Sequence, residues 1–156
     1  MSFKFFGCTY NPTGLTGTVG GSISSVELSG YLGELFYHQR AYSSDTTGTV
    51  IQYRKFYVKN TYSTTSDDTR LWFDAQHVSG QMAVALETGS PLTGNVLDGP
   101  SGLSGWSAPT SYSGGFRLGD IATNGYTGIW MRQTLTQIDE SVPYVSLRVY
   151  VGGVVD

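Results

Sequence analysis

Short segments in which apolar and polar residues alternate are the feature of this sequence that most constrains its fold. Successive side chains of a β-strand point to opposite faces, so strict alternation predicts strands that bury one face. In "RLWFDAQ", Leu71 and Phe73 share one face and Trp72 lies on the other. Either Leu71 and Phe73 point inward and Trp72 outward, or the reverse. The same pattern occurs in two further segments, "QMAVALE" and "YVSLRVYV".

Two longer segments carry aromatic residues on both faces or combine an aromatic with a cation. "VIQYRKFYVKN" has aromatic residues on both faces, which predicts a central strand that is covered on both sides. In "GYTGIWMRQTL", Ile129 and Met131 share one face, whereas Trp130 and Arg132 share the other. We expect the first pair to face the core, and Arg132 to lie along an aromatic surface or to pair with a carboxylate.

These patterns together predict an all-β chain. Further short candidates bring the total to eight or nine strands: "FKFF", "SISSVEL", "GELFYHQ" and "GGFRL". Clusters of Gly, Asn, Asp and Ser separate them, "TNG" has the composition of a tight turn, and "STTSDDT" has that of a surface connection. We therefore predict that residues 1–156 form a single antiparallel β-sandwich domain, jelly-roll or immunoglobulin-like, with long loops.

The charge content limits the classes of partner. Only 13% of the residues are charged, about half of the roughly 25% that is usual. This favours a subunit that buries much of its surface against neighbours over a neutral, Ser/Thr-rich monomer. The net charge of −3 and the scattered cations argue against a nucleic-acid partner. The sequence has no apolar run typical of a signal peptide or membrane span, so we expect synthesis in a cytoplasm and no membrane partner.

Residues with catalytic or metal-binding chemistry are few. His38 and His77 are far apart in the sequence, and the single cysteine, Cys8, has no counterpart for an intramolecular disulfide. The adjacent Asp67 and Asp68 supply at most part of a calcium site and are more typical of a turn. We therefore predict no catalytic site, no metal site and no cofactor. A glycan-binding module remains open, because exposed tryptophans can stack against sugars.

Two segments lack a strand pattern. The first runs from Gly7 to Ser22 and makes up most of an N-terminal arm of about residues 1–21. The second is a loop rich in Gly, Ser and Pro, at about residues 90–115. Loops of the second length are uncommon in compact domains unless they have a function. Its apolar residues favour an ordered contact loop over a flexible insertion.

The order of the strand motifs resembles a family of tailed-bacteriophage virion structural proteins. "VIQYRKFYVKNTYST", "TRLWFDAQ", "MAVALETG", "FRLGDIATNGYTGIWMRQTL" and "YVSLRVYVGG" follow one another as the corresponding motifs do in that family. The upstream "GGSISSVELSG" also fits, so the resemblance extends from about Gly20 to Gly153. Gln133 stands where the family often has a second arginine, and residues 90–113 match no part of the family's pattern.

The resemblance implies a non-enzymatic subunit of the virion, made in the host cytoplasm. We expect a head decoration or cement protein that binds the major capsid protein and forms a homo-oligomer; trimers at symmetry axes fit this role. The alternatives are a tail, baseplate or fibre component that meets the host surface, and a glycan-binding module. The predicted contacts with the capsid or with neighbouring subunits are Tyr10, Leu15, Leu103, Trp106, Tyr112 and Arg132.

Overall fold

A computed structural model describes residues 2–10, 20–28, 49–74, 82–86, 103–136 and 148–155 of the chain. These residues form eight strands in two packed sheets that do not close into a barrel, so the predicted all-β sandwich is confirmed. The strands are β1 (Phe3–Tyr10), β2 (Gly20–Glu27), β3 (Thr49–Asn60), β4 (Ser66–Phe73), β5 (Met82–Leu86), β6 (Phe116–Ile121), β7 (Tyr126–Thr136) and β8 (Val149–Val155).

The larger sheet has five strands in the order β2-β1-β3-β7-β5, and the smaller has three in the order β6-β4-β8. Every pairing between these strands is antiparallel. At the centre of the larger sheet, β3 and β7 pair without a break from Thr49↔Thr136 to Lys59↔Tyr126. The side chains from residue 54 to residue 58 are all buried, which confirms the prediction of a central strand covered on both sides.

The hydrophobic core lies between the two sheets. Ile129 and Met131 of β7 are fully buried there, as predicted. Of the two orientations left open for β4, the structure has the one in which Leu71 and Phe73 point inward. The remaining members of the core cluster are Phe56, Val58, Met82, Val84, Leu118 and Ile121. Burying a large apolar side chain contributes about 1.5–3 kcal/mol, so this interface is the main source of stability.

Two strands extend beyond their predicted ends. The segment "STTSDDT" is in part strand rather than connection, since β4 begins at Ser66, and its pairings with β6 and β8 shift in register around Asp68, which has a positive φ of 46°. Strand β8 continues through two glycines to Val155. A Cβ at Gly152 would come within 3.1 Å of the Trp72 ring. Close approach by neighbouring strands, rather than a strand end, therefore explains this glycine.

The "TNG" segment forms the predicted turn, and it joins one sheet to the other. It connects β6 of the three-stranded sheet to β7 of the five-stranded sheet, with Asn124 at a φ of 60°. Beside this turn, Asn60 is fully buried at the end of β3. Its Nδ2 donates hydrogen bonds to the backbone oxygens of Thr64 (2.9 Å) and Ile121 (2.8 Å), so one side chain links the two sheets.

Some predictions concern residues outside those that the structure describes. These are the "GELFYHQ" strand, both histidines, Leu15 and the first part of the long loop. Of the predicted N-terminal arm, residues 3–10 form β1, which lies between β2 and β3 within the larger sheet.

Candidate functional site

Three aromatic rings form a continuous row on the outer face of the three-stranded sheet. Trp72 and Tyr150 are cross-strand partners, and their nearly parallel rings have centroids 5.6 Å apart. Tyr112, from the loop before β6, contacts Trp72 edge to face at 5.5 Å. The Tyr112 and Tyr150 side chains remain 40% and 38% exposed. We call these three residues the aromatic row.

A network of charged side chains adjoins the Tyr112 end of the aromatic row. The guanidinium carbon of Arg70 lies 5.6 Å from the centre of the Tyr112 ring. Asp68 accepts hydrogen bonds from Arg70 Nε (3.0 Å) and from Arg117 Nε (2.9 Å). The hydrogen bond from Arg70 lowers the pKa of the Asp68 carboxyl, and the same bond raises the pKa of Arg70. The carboxylate thus neutralises part of the positive charge and fixes the direction of both arginines.

The described part of the long loop, residues 103–115, is held by backbone hydrogen bonds. Val84 of β5 and Ser107 exchange two bonds, of 2.8 and 3.0 Å. The Phe73 amide of β4 donates to the Pro109 oxygen at 2.8 Å. Residues 103–115 therefore contact both sheets. Their backbone is fixed by these hydrogen bonds, as we expect for an ordered contact loop.

A second surface lies on the outer face of the five-stranded sheet. The guanidinium carbon of Arg132 is 4.9 Å from the centre of the Trp106 ring, and Tyr53 lies 5.6 Å from that ring on the neighbouring strand. Ile51 shares this face of β3 and is 47% exposed. We call Ile51, Tyr53, Trp106 and Arg132 the Trp106 face. The expectation that Arg132 lies along an aromatic surface is confirmed.

Beside the Trp106 face, the same side of the sheet is closely packed. Lys55 is buried, with its ammonium nitrogen 5.0 Å from the Tyr57 ring and 5.9 Å from the Trp130 ring. Tyr57 donates a buried hydrogen bond of 2.7 Å to the Gly21 oxygen. Trp130 is fully buried, and its Nε1 has no hydrogen-bond partner among the residues that the structure describes. These buried residues lie next to the more exposed Trp106 face on the same side of the sheet.

The structure brings some of the predicted contact residues together and separates others. Trp106 and Arg132 are in contact, whereas Tyr112 lies on the outer face of the opposite sheet. Leu103 is half-buried, and Tyr10 ends β1. Since the outer faces of two packed sheets point in opposite directions, Tyr112 and Trp106 do not belong to one flat contact surface.

Sequence reasoning did not select Tyr150 or Asp68 as site residues. Tyr150 lies between Val149 and Val151, which pack against the core, so strand alternation predicts that its side chain points outward. Its stacking on Trp72 depended on a cross-strand register that the sequence alone does not fix.

Among the residues that the structure describes, none belongs to a helix with the length and apolarity of a membrane span. The same residues contain no group of three or more His, Cys, Asp or Glu side chains placed to hold a metal ion. Comparison of the chain with protein-family models, curated proteins and solved structures found no match.

Proposed function

We propose that this chain is a non-enzymatic structural protein of a bacteriophage virion, of the capsid decoration or cement type. In this proposal it is made in the host cytoplasm, binds the major capsid protein and stabilises the shell, as a homo-oligomer. The ordered resemblance of the strand motifs to tailed-phage virion proteins supports the proposal. We propose the Trp106 face as the surface that contacts the shell.

The observation that carries this proposal is the ordered position of Trp106. Backbone hydrogen bonds at Ser107 and Pro109 fix the loop directly after Trp106, and Arg132 and Tyr53 hold its ring. A preformed contact surface loses little conformational entropy on binding. Trp, Tyr and Arg are the residue types that dominate interface energies, and Ile51 adds exposed apolar area beside them.

The predicted contact residue Tyr10 ends a strand of the same sheet as the Trp106 face. Strand β1 is antiparallel to β3, and the Cys8 thiol donates to the Lys55 oxygen at 3.0 Å. The end of β1 at Tyr10 therefore lies toward the half of the sheet that carries Tyr53.

A shell presents the same contact many times, so a modest affinity at each site is sufficient when linked subunits bind several sites at once.

Binding to shells that lack the protein tests the proposed surface. We expect Ile51→Asp to lose co-sedimentation with such shells, because it places a carboxylate in the contact without changing the core. Val26→Asp is the matched control, since Val26 is an exposed apolar residue on the edge strand β2. Binding of Ile51→Asp at the wild-type level would contradict the proposed surface. These point variants are sharper than replacing residues 90–115, which would remove the bonds to Val84 and Phe73.

The position of the protein in an intact particle tests the proposed role. Electron cryomicroscopy of the particle is expected to show this chain on the head, on the outer side of the capsid shell. Density on the tail, baseplate or fibres would overturn the decoration role and favour a component that meets the host.

A further inference from the structure

The aromatic row has no part in the proposed shell contact. It lies on the three-stranded sheet, on the side of the sandwich opposite to the Trp106 face. A subunit attached through the Trp106 face would therefore turn Tyr112, Trp72 and Tyr150 toward the surroundings of the particle.

We propose that the aromatic row is a binding site for a neutral saccharide. The C–H groups on one face of a pyranose ring carry partial positive charge, and the face of an aromatic ring carries partial negative charge. The row offers three rings in contact, with the exposed area at its two tyrosine ends. An extended row of this kind suits two or more linked sugar units, one at each exposed ring.

Polar groups at the Tyr112 end supply the hydrogen bonds that sugar hydroxyls require. The Arg117 side chain is 70% exposed, and its Nε and Nη2 both bond to Asp68 Oδ1 at 2.9 Å. This leaves the other edge of the guanidinium for solvent or a ligand. The exposed hydroxyls of Ser111 and Ser113 lie in the same loop as Tyr112. Hydroxyls both donate and accept, which matches the chemistry of a saccharide.

The charge around the row favours a neutral ligand. Both oxygens of Asp68 are occupied by arginines, and Asp120 accepts a hydrogen bond of 3.0 Å from the Asp68 amide. Positive and negative groups are therefore interleaved. A nucleic acid or an acidic polysaccharide would need a surplus of cations here.

The row is also rigidly held. Arg70 Nη1 donates a 2.8 Å hydrogen bond to the Ser113 oxygen, and the Gly115 amide donates to the Tyr112 oxygen at 2.9 Å. Asp68, which orients Arg70, has a positive φ that costs conformational energy in a residue other than glycine. The positive φ coincides with the register shift of β4, at the point where the Asp68 carboxylate binds both arginines.

An array of neutral oligosaccharides built from glucose, galactose, mannose and N-acetylglucosamine tests the proposal, with sialylated and sulfated oligosaccharides as the charged comparison. The neutral oligosaccharide that binds best is then titrated by calorimetry. We expect Tyr150→Ala and Tyr112→Ala each to weaken binding about tenfold, the equivalent of about 1.4 kcal/mol of stacking. Tyr150→Phe retains the ring and is expected to bind nearly as the wild type does. Val26→Ala is the matched control, because Val26 is an exposed apolar residue on the five-stranded sheet and belongs to neither surface.

Three results would overturn the proposal. The first is the absence of binding to every neutral oligosaccharide, and the second is equal binding by the wild type and both alanine variants. The third is self-association, measured by analytical ultracentrifugation, that Tyr150→Ala abolishes, because the row would then be a protein interface. Thermal unfolding of each variant shows that the fold is retained. None of these results depends on the shell-binding test of Ile51→Asp, so the two proposals can fail separately.

Discussion

The strongest single test of the fold is the replacement of Asn60 by alanine. The side chain is fully buried at the end of β3 and makes three hydrogen bonds. Its Nδ2 donates to the oxygens of Thr64 and Ile121, and its Oδ1 accepts from the Tyr62 amide at 2.8 Å. Alanine removes all three and leaves at least one buried carbonyl, that of Ile121, without this partner.

The expected loss follows from the number of bonds. A hydrogen bond contributes about 1 kcal/mol net, so Asn60→Ala is expected to lower the free energy of unfolding by about 3 kcal/mol. That is a large part of the roughly 5–15 kcal/mol that holds a typical domain together. For a chain of this size, it corresponds to a fall in Tm of about 6–12 °C. Asn60→Asp should be at least as damaging at neutral pH, because it places a carboxylate against two carbonyl oxygens.

Urea unfolding followed by circular dichroism measures this loss. Asn124→Gly is the matched control, since it removes the side chain of an asparagine in the adjacent β6–β7 turn, where glycine tolerates the positive φ. We expect the control to unfold within about 0.5 kcal/mol of the wild type. A loss below about 1 kcal/mol for Asn60→Ala, or wild-type stability of Asn60→Asp, would refute the role of this side chain as a link between the sheets.

Three further predictions concern packing and pH. Gly128→Ala places a Cβ within 3.0 Å of both Lys55 Cε and Tyr57 Cε1, and is expected to cost about 1–3 kcal/mol in chemical denaturation; an unchanged midpoint would contradict this close packing. Phe73→Ala empties a fully buried position and should cost about 3–5 kcal/mol by the same measurement, unless the core collapses around it. Asp68 has a lowered pKa in the folded state, so its stabilisation is present above the unfolded pKa of about 3.9 and is lost as the pH falls through the folded value. Asp68→Asn should therefore melt below the wild type at pH 7, and the difference should close in acid; a constant difference down to pH 2 would argue against the ion pairs.

The sequence predicted which residues of a strand share a face, and for β7 it also predicted which face lies in the core. Leu71 and Phe73, like Ile129 and Met131, occupy the positions that strand alternation assigns to one face, because a single-residue shift would expose the whole set. The central position of β3 was also readable, since only a strand covered on both sides accommodates aromatic residues on both faces.

The strand ends and the surface sites required tertiary information. The pair "GG" in β8 is typical of a strand end, yet Gly152 lies under the Trp72 ring and the strand continues. Trp106 and Tyr112 are six residues apart in one loop, and no local pattern indicates that they lie on opposite sheets. The buried role of Asn60 depends on Ile121, which comes from a distant strand of the other sheet.

The pairing of β3 with β7 has a consequence for the time at which the domain folds. The two central strands are distant in sequence, with Phe56 opposite Ile129, and the whole of β4, β5 and β6 lies between them. On the ribosome, β1 to β3 emerge before the strand that completes their sheet, and synthesis proceeds at about 5–20 residues per second. Such non-local sheets fold in roughly milliseconds to seconds. The aromatic residues of β3 therefore lack their β7 partner until β4, β5 and β6 have been translated, and the five-stranded sheet cannot be completed before that point.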